Sequence, residues 1–313
     1  MKQLISRHKE RYNLMKGSFR MKQAERNALI GLPVALLVAA LVALAGSQGS
    51  QSVGRLPIFA LGFLIAFGIQ WIAFVPAFLW QTEKFYDLTG SLTYLTVVIL
   101  SVLLSTPRDA RSLLLLALVS VWAVRLGTFL FTRIHRAGED TRFAELKPSL
   151  PRFLLTWTIQ GLWVSLTLAA ALAAITSTLR VELGLFALLG FVVWLLGFSI
   201  EIVADRQKSA FRANPENAGK FIRSGLWAWS RHPNYFGEIV LWIGVALIAL
   251  PVLRGWQWVS MISPLFVIML LTRVSGLPML EAKADEKWGG QPEYESYKKR
   301  TPVLLPKPPS RAP

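Results

Sequence analysis

Residues 183–238 read LGLFALLGFVVWLLGFSIEIVADRQKSAFRANPENAGKFIRSGLWAWSRHPNYFGE. The first part, 183–203, carries one charged side chain, Glu201, and matches the ~20 apolar residues that span a bilayer. The second part turns polar and basic at once. It gathers Asp205, Lys208, Arg212, Asn214, Arg223, Arg231, His232, Asn234, Tyr235 and Glu238, with Trp227 and Trp229 between them. A plain connecting loop requires none of this chemistry. A pocket for a charged, aromatic cofactor at a membrane surface requires most of it.

The rest of the chain repeats the first part. It has 313 residues, 53% of them hydrophobic, and its mean hydropathy is positive. Apolar stretches recur at 28–46, 57–80, 92–105, 112–132, 153–175, 183–203, 235–251 and 257–272. These segments lack the charged outer face that helices of a water-soluble protein present. In lipid a single segment satisfies its backbone only as a helix. The expectation is an all-α, polytopic integral membrane protein with about eight spanning helices, within a range of seven to ten. The first apolar stretch follows basic residues and has no small-residue cleavage site, so it reads as a retained helix rather than a signal peptide.

A net charge of +16 invites a nucleic-acid partner, but the placement of the cations points to the membrane. With the N-terminus in the cytoplasm, the inside segments hold 28 Lys and Arg and the outside segments 5. That is the positive-inside pattern. It places both termini in the cytoplasm, with membrane lipids as partners and no nucleic acid; a bacterial inner membrane is the expected location. Oligomeric state is not encoded in any visible pattern. The chain has no cysteine, which excludes disulfides, thiolate catalysis and Cys-ligated metals. The three histidines, His8, His135 and His232, lack metal-ligand spacing, so no metal site is expected.

Four regions follow: a basic arm over 1–27, read as disordered or lying on the surface; the helices of 28–175; a cofactor-binding region over 176–305; and a disordered proline-rich tail over 306–313. Within 76–91, Trp80, Gln81, Glu83, Tyr86 and Asp87 crowd the end of a span, and Glu83 and Asp87 share a face if the helix continues. Arg125 sits inside a span, where a charge is costly and needs a partner, a wet cavity or a route to the interface. Beyond it, Arg133, Arg136 and Arg142 flank Asp140 and read either as positive-inside signal or as phosphate contacts. Glu281, Lys283, Asp285, Glu286 and Lys287 suggest a short charged helix, stopped by Gly289-Gly290.

Helical spacing organises the polar stretch. If the sixth span continues outward, Glu201, Asp205, Lys208 and Arg212 fall on one face, and Asn214-Pro215 ends the helix. His232-Pro233 reads as a helix start, whose free N–H groups suit an anion. Cations for phosphates, Trp or Tyr for stacking, and carboxylates and amides for ribose and nicotinamide make up the inventory of a dinucleotide site. No G-x-G-x-x-G, Walker or G-x-S-x-G motif is present, so a nucleotide would bind without a Rossmann fold.

The run Ala204 to Pro215, followed by Ser224-Gly225-Leu226-Trp227 and Arg231-His232-Pro233-Asn234-Tyr235-Phe236-Gly237-Glu238, resembles the C-terminal signature of membrane sterol reductases. It also resembles the steroid 5α-reductase family, in particular bacterial members of unassigned substrate. The tail from Glu281 through Trp288-Gly289 to Tyr294, Tyr297 and Pro302 is similar to the closing segment of the same families. The resemblance covers roughly 195–305 and implies a reductase with NADPH in a cytoplasm-facing cavity among the last helices. By position it implies that Lys208, Arg212, Trp227, His232, Asn234 and Tyr235 contact NADPH, with Glu238 at the position of a family Asp/Glu, and Asp205 and Arg231 of the same polar stretch are expected to bind the cofactor with them.

The N-terminal half offers no comparable motif. The Gln-Glu pair of steroid 5α-reductases is only approximated by Gln81 and Glu83, and Glu83, Tyr86 and Tyr297 remain open as the group that polarises the substrate or supplies the proton. The same RHPNYFG run and tail are also similar to isoprenylcysteine carboxyl methyltransferases and phospholipid methyltransferases, which bind S-adenosylmethionine. The expectation is an NADPH-dependent oxidoreductase reducing a C=C bond of a lipophilic, steroid- or enone-like substrate drawn from the bilayer. A methyltransferase is the first alternative, and a non-enzymatic transporter or scaffold the second.

Overall fold

The computed structural model describes the backbone of residues 2–137 and 140–309, and side chains for 22–135, 140 and 142–309. The side chain of Arg136 and the last four residues of the proline-rich tail lie outside the described residues. Ten α-helices follow one another: α1 Lys2–Gly46, α2 Ile58–Leu79, α3 Tyr86–Leu104, α4 Ala110–Ala137, α5 Leu150–Thr176, α6 Leu185–Ala213, α7 Pro233–Ala249, α8 Ile262–Met269, α9 Leu277–Trp288 and α10 Pro292–Arg300. The only described strands are β1 Ser52–Val53 and β2 Leu56–Pro57, a two-stranded hairpin. Among the described residues eight segments are long and apolar enough to cross a membrane, and the protein is an all-α polytopic membrane protein.

Several expected boundaries move. The third span begins at Tyr86 rather than 92, and the seventh runs Pro233–Ala249. The eighth is composite: a 3-10 stretch Gly255–Met261, then α8, then a π-helical turn Leu270–Val274. The reading of 1–27 as disordered is corrected, because the backbone is helical from Lys2 and continues into the first span. The Lys, Arg, Glu, Gln, Leu and Met that fill this arm are all good helix formers. The shared face proposed for Glu83 and Asp87 is also corrected: α2 ends at Leu79, and Glu83 lies in the linker before α3.

Helix α5 is the central pillar. From Val164 to Thr176 every residue is buried, and α1, α2, α3, α7 and α8 pack around it. Its Ala169-Ala170-Ala171-Leu172-Ala173-Ala174 run explains this, since small side chains let neighbouring backbones approach in a membrane, where packing drives association. At the less basic end, the loops lock together. Gln51 N–H donates to Thr176 O at 2.7 Å, and Gln51 Oε1 accepts from Thr106 N–H at 2.8 Å. Buried Arg111 donates to the carbonyls of Ile248 and Glu182, satisfying the loose ends of α7 and of the 177–184 loop.

The tightest helix pair is α6 with α7. Gly190 and Gly197 on one face Gly244 and Gly237 on the other, and both pairs are seven residues apart. A Cβ added to Gly237 would stand 2.6 Å from Gly197 O and 2.7 Å from Glu201 N, and one added to Gly190 would stand 2.6 Å from Gly244 O. Backbone this close admits no side chain. Gly237→Val should therefore lower the thermal midpoint of the detergent-purified protein, by an overpacking penalty of about 1–3 kcal/mol. Gly68→Ala, where a Cβ would meet nothing within 4 Å, should leave the midpoint nearly unchanged.

Candidate functional site

The outward end of α6 begins the site. The helix continues past its apolar part to Ala213, so Glu201, Asp205, Lys208 and Arg212 do line one face. Asn214 ends it, its Oδ1 accepting from Glu216 N–H at 3.0 Å. The loop that follows is folded back onto the helix. Gln207 Oε1 accepts from Leu226 N–H at 2.9 Å, and Trp227 Nε1 donates to Ala204 O at 3.0 Å. Trp227 is buried with Ala204 and Ile222, and the Lys208 ammonium lies 4.4 Å from the centre of its ring.

The C-terminal helices close the space over this loop. Glu281 on α9 takes Arg231 at 2.5 Å and the His232 Nε2 at 2.7 Å, one on each carboxylate oxygen. Tyr297 Oη donates to Trp227 O at 2.7 Å, and Trp288 Nε1 donates to Gly219 O at 2.6 Å. Phe221 packs against Trp288, Tyr294 and Tyr297. What remains between α6, the loop and α9 is a cavity of about 460 Å³, within the usual range for small-molecule sites. Its walls carry Lys208, Arg212, Lys220, Lys283 and Lys287. None of these five cations forms an ion pair with a described residue.

Deeper along α6 the sign of the charge reverses. Arg125 of α4 reaches Glu201 Oε1 and Asp205 Oδ2, both at 2.5 Å. The partner that a charge inside a span requires is thus present, and it is double. Asn234 Nδ2 donates to Asp205 Oδ1 at 3.2 Å. Glu238, one turn further along α7, has no ion pair or hydrogen bond among the described residues. Tyr235 stacks on His232 with ring centroids 5.8 Å apart. Arg125, Asn234, Tyr235 and Glu238 are only half-buried, so this inner group opens onto a crevice.

Of the residues expected to bind a cofactor, Lys208, Arg212, Trp227, Arg231 and His232 line the cavity. Asp205, Asn234, Tyr235 and Glu238 lie beyond it, in the inner group. Arg231 is already committed to Glu281. Among the groups left open as proton donors, Tyr297 lines the cavity, and burial pushes its hydroxyl well above the ordinary tyrosine range. Glu83 and Tyr86 belong to a separate cluster. Glu83 accepts from Lys147 at 2.6 Å and from Asp140 N–H at 2.9 Å. Burial alone would raise this carboxyl, but Lys147 and the amide hold it below its usual value. Tyr86 donates to Thr156 O at 3.1 Å, its ring edge-on to Phe143 and Trp157.

Sequence reasoning passed over Gln207, Lys220, Phe221, Lys283 and Lys287. Lys283 and Lys287 carry a signal, being four apart on one helix and thus on one face. For Gln207 and Phe221 no local pattern exists, because their roles depend on how the loop folds back.

A family described as a protein of unknown function (DUF1295) matches residues 73–301. The chain belongs to this family, which is the steroid 5-alpha reductase family. Rat 3-oxo-5-alpha-steroid 4-dehydrogenase 1 (Rattus norvegicus) is 33% identical over 120 residues, 38% of this chain and 40% of the relative. The steroid 5-alpha-reductase DET2 of Gossypium hirsutum is 27% identical over 119 residues, 38% of this chain and 41% of the relative. A probable O-methyltransferase, ustE of Ustilaginoidea virens, is 36% identical over 58 residues, 18% of this chain and 20% of the relative. The chain spans about two fifths of the length of the steroid relatives it matches. No solved structure matches.

His232 supplies a stability test. Burial lowers its pKa below the ordinary 6.5, with Glu281 opposing the shift. The folded state therefore favours the neutral ring more than the unfolded chain does. Its contribution is complete above pH 6.5 and is lost as pH falls below that value toward the lowered folded pKa. Wild-type thermal midpoints should fall more steeply between about pH 6.5 and 5 than those of His232→Gln, and parallel curves would contradict the burial of a neutral ring.

Proposed function

We propose that this chain is an NADPH-dependent reductase that saturates a polarised C=C bond of a lipophilic, steroid- or enone-like molecule taken from the bilayer. One observation carries the reading: the polarity of the site. Its outer cavity holds five cations that form no ion pair among the described residues, and its inner group holds three carboxyls around one guanidinium. Partnerless cations in a walled cavity suit bound phosphates, and the anionic depth suits the end of a ligand that carries no phosphate.

The residues present fit the cofactor. Lys208, Arg212, Lys220, Lys283 and Lys287 would hold phosphates. Trp227 and Trp288 offer flat faces, though Lys208 and Lys287 already lie over them, at 4.4 and 4.9 Å. The unpartnered His232 Nδ1 is a further polar contact. Asp205, Asn234, Tyr235 and Glu238 would meet the inner end. When bound, NADPH supplies a hydride from its dihydronicotinamide to one carbon of the double bond, the other carbon takes a proton, and the ring is left with one positive charge. Tyr297, among the three groups left open as proton donors, is the one in the cavity. Its hydroxyl holds the Trp227 carbonyl and so sets the loop that carries the tryptophan. Glu83 and Tyr86 brace the segment from Asp140 to Trp157.

Methyl transfer from S-adenosylmethionine is the second reading. The anionic depth would accept a sulfonium, and one short relative carries a methyltransferase name. Five outer cations count against it, because that cofactor brings no phosphate. A transporter or scaffold likewise leaves the cations without a task.

Thermal shift of the detergent-purified protein decides among these. NADPH should raise the midpoint by several degrees, and Lys208→Ala and Arg212→Ala should each weaken its binding roughly tenfold, as expected when a charge-assisted hydrogen bond is lost. Stabilisation by S-adenosylmethionine alone would replace the reductase with a methyltransferase.

We also propose that both termini and the site lie on the cytoplasmic face, on the strength of the charge asymmetry, with a bacterial inner membrane as the location. The cysteine-free sequence makes this direct to check. In intact cells, a membrane-impermeant maleimide should label Arg55→Cys and spare Lys220→Cys, and the reverse pattern would invert the assignment.

A further inference from the structure

The inner group is unbalanced in charge. Glu201, Asp205 and Glu238 bring three carboxyls, and Arg125 is the one cation that bonds to any of them. Glu201 is 2% exposed. One of its oxygens bonds Arg125, and the other, Oε2, has no partner. The group beside that oxygen is the buried indole Nε1 of Trp122 on α4, and the two face each other short of a well-formed hydrogen bond. Glu238 is an electrostatic neighbour of Asp205, Arg125, Glu201 and the Tyr94 hydroxyl. Each element around this point is thus accounted for: Tyr94 from α3, Trp122 and Arg125 from α4, Glu201 and Asp205 from α6, and Asn234 and Glu238 from α7. Lys208, further out on α6, is an electrostatic neighbour of Asp205, but among the described residues Arg125 is the one cation that acts on Glu201 and Glu238. A buried carboxyl without a cation either carries a costly charge or takes up a proton to avoid it, and a cationic ligand placed here would favour the charged form.

Resting on the reductase reading, we propose that Glu201 and Glu238 form an anionic floor that favours the oxidised, cationic nicotinamide, so that the protein binds NADP+ more tightly than NADPH. The orientation follows from the site. Phosphates are drawn to Lys208, Arg212 and their neighbours, at the mouth. The ring is then the end that reaches the floor, whose Glu201 lies about two helical turns from Lys208 and about three from Arg212 along α6. The ring is neutral before hydride leaves and cationic after, so the floor acts on the difference between the two states. Interactions stronger after charge has developed lower the barrier to developing it. The same preference slows release of the spent cofactor.

The test is a pair of dissociation constants, measured by isothermal titration of NADP+ and NADPH into the detergent-purified full chain. An opposite charge at about 4–6 Å is worth roughly one to three powers of ten. The wild type should prefer NADP+ by roughly tenfold or more, and Glu238→Gln and Glu201→Gln should each shrink that preference severalfold. Lys208→Ala provides the contrast: it should weaken both nucleotides alike and leave their ratio intact. An equal affinity for the two forms in the wild type, or a ratio that neither glutamine variant changes, overturns the anionic floor while leaving the reductase reading standing. Failure of the wild type to bind either nucleotide overturns the reductase reading, and the floor with it.

Discussion

The contact on which the rest depends is the backbone-to-backbone approach of α6 and α7. Gly190 and Gly197 face Gly244 and Gly237 at a separation that excludes even a methyl group. In lipid there is little hydrophobic gain in bringing two helices together, so close packing of small residues supplies the attraction. The seam has a chemical consequence as well. Gly237 abuts the backbone of Glu201, which fixes the register of the two helices. Asn234 is thereby held against Asp205, and Glu238 stands beside Glu201. Four polar groups from two helices are set by glycines that carry no polar side chain.

Arg125 then ties this pair to the other half of the molecule. Helix α4 packs along α3 and only lightly touches α6 and α7, yet its arginine spans Glu201 and Asp205. A guanidinium suits this task because its fork presents donors to two carboxylates at once. Arg125 therefore does two things. It neutralises part of the inner charge, and it is a polar link between a helix of the first half and the helix pair that carries the site. Lysine, a point charge on a flexible stem, would keep the first role and lose most of the second.

The sequence shows the helices and the site's polar composition with some fidelity, for reasons that are local. Apolar runs of about 20 residues mark spans whatever they pack against. The 201, 205, 208 and 212 face follows from helical period alone, Asn214-Pro215 stops α6, and His232-Pro233 starts α7. The failures were non-local. The helical course of 2–27 depends on propensity carried through a basic stretch that composition alone marks as solvated. The linker position of Glu83 depends on where α2 stops, and the eighth span breaks into three helical types. Lys220 and Phe221 join the cavity only because Gln207 and Trp227 pull the loop back onto α6. A single sequence contains those residues but not the fold-back that brings them together.

The two clusters at the basic end divide their labour by the state of their polar atoms. Around Glu83 the carboxylates have partners: Lys147 and the Asp140 amide hold Glu83, Arg142 holds Asp140, and Arg133 lies 3.7 Å from Asp87. Such a network orders loops, and it has no capacity left for a ligand. Around the cavity the accounting is reversed. Among the described residues the five outer cations have no ion pair, Glu201 Oε2 and Trp122 Nε1 face each other short of a well-formed hydrogen bond, His232 Nδ1 has no partner, and Glu238 has no ion pair. Buried polar groups left unmatched cost stability, and a fold retains that cost where a bound molecule completes the pairing. The unmatched groups change from positive at the mouth to negative at the depth, so the molecule that completes them must itself be negative at one end and neutral or positive at the other.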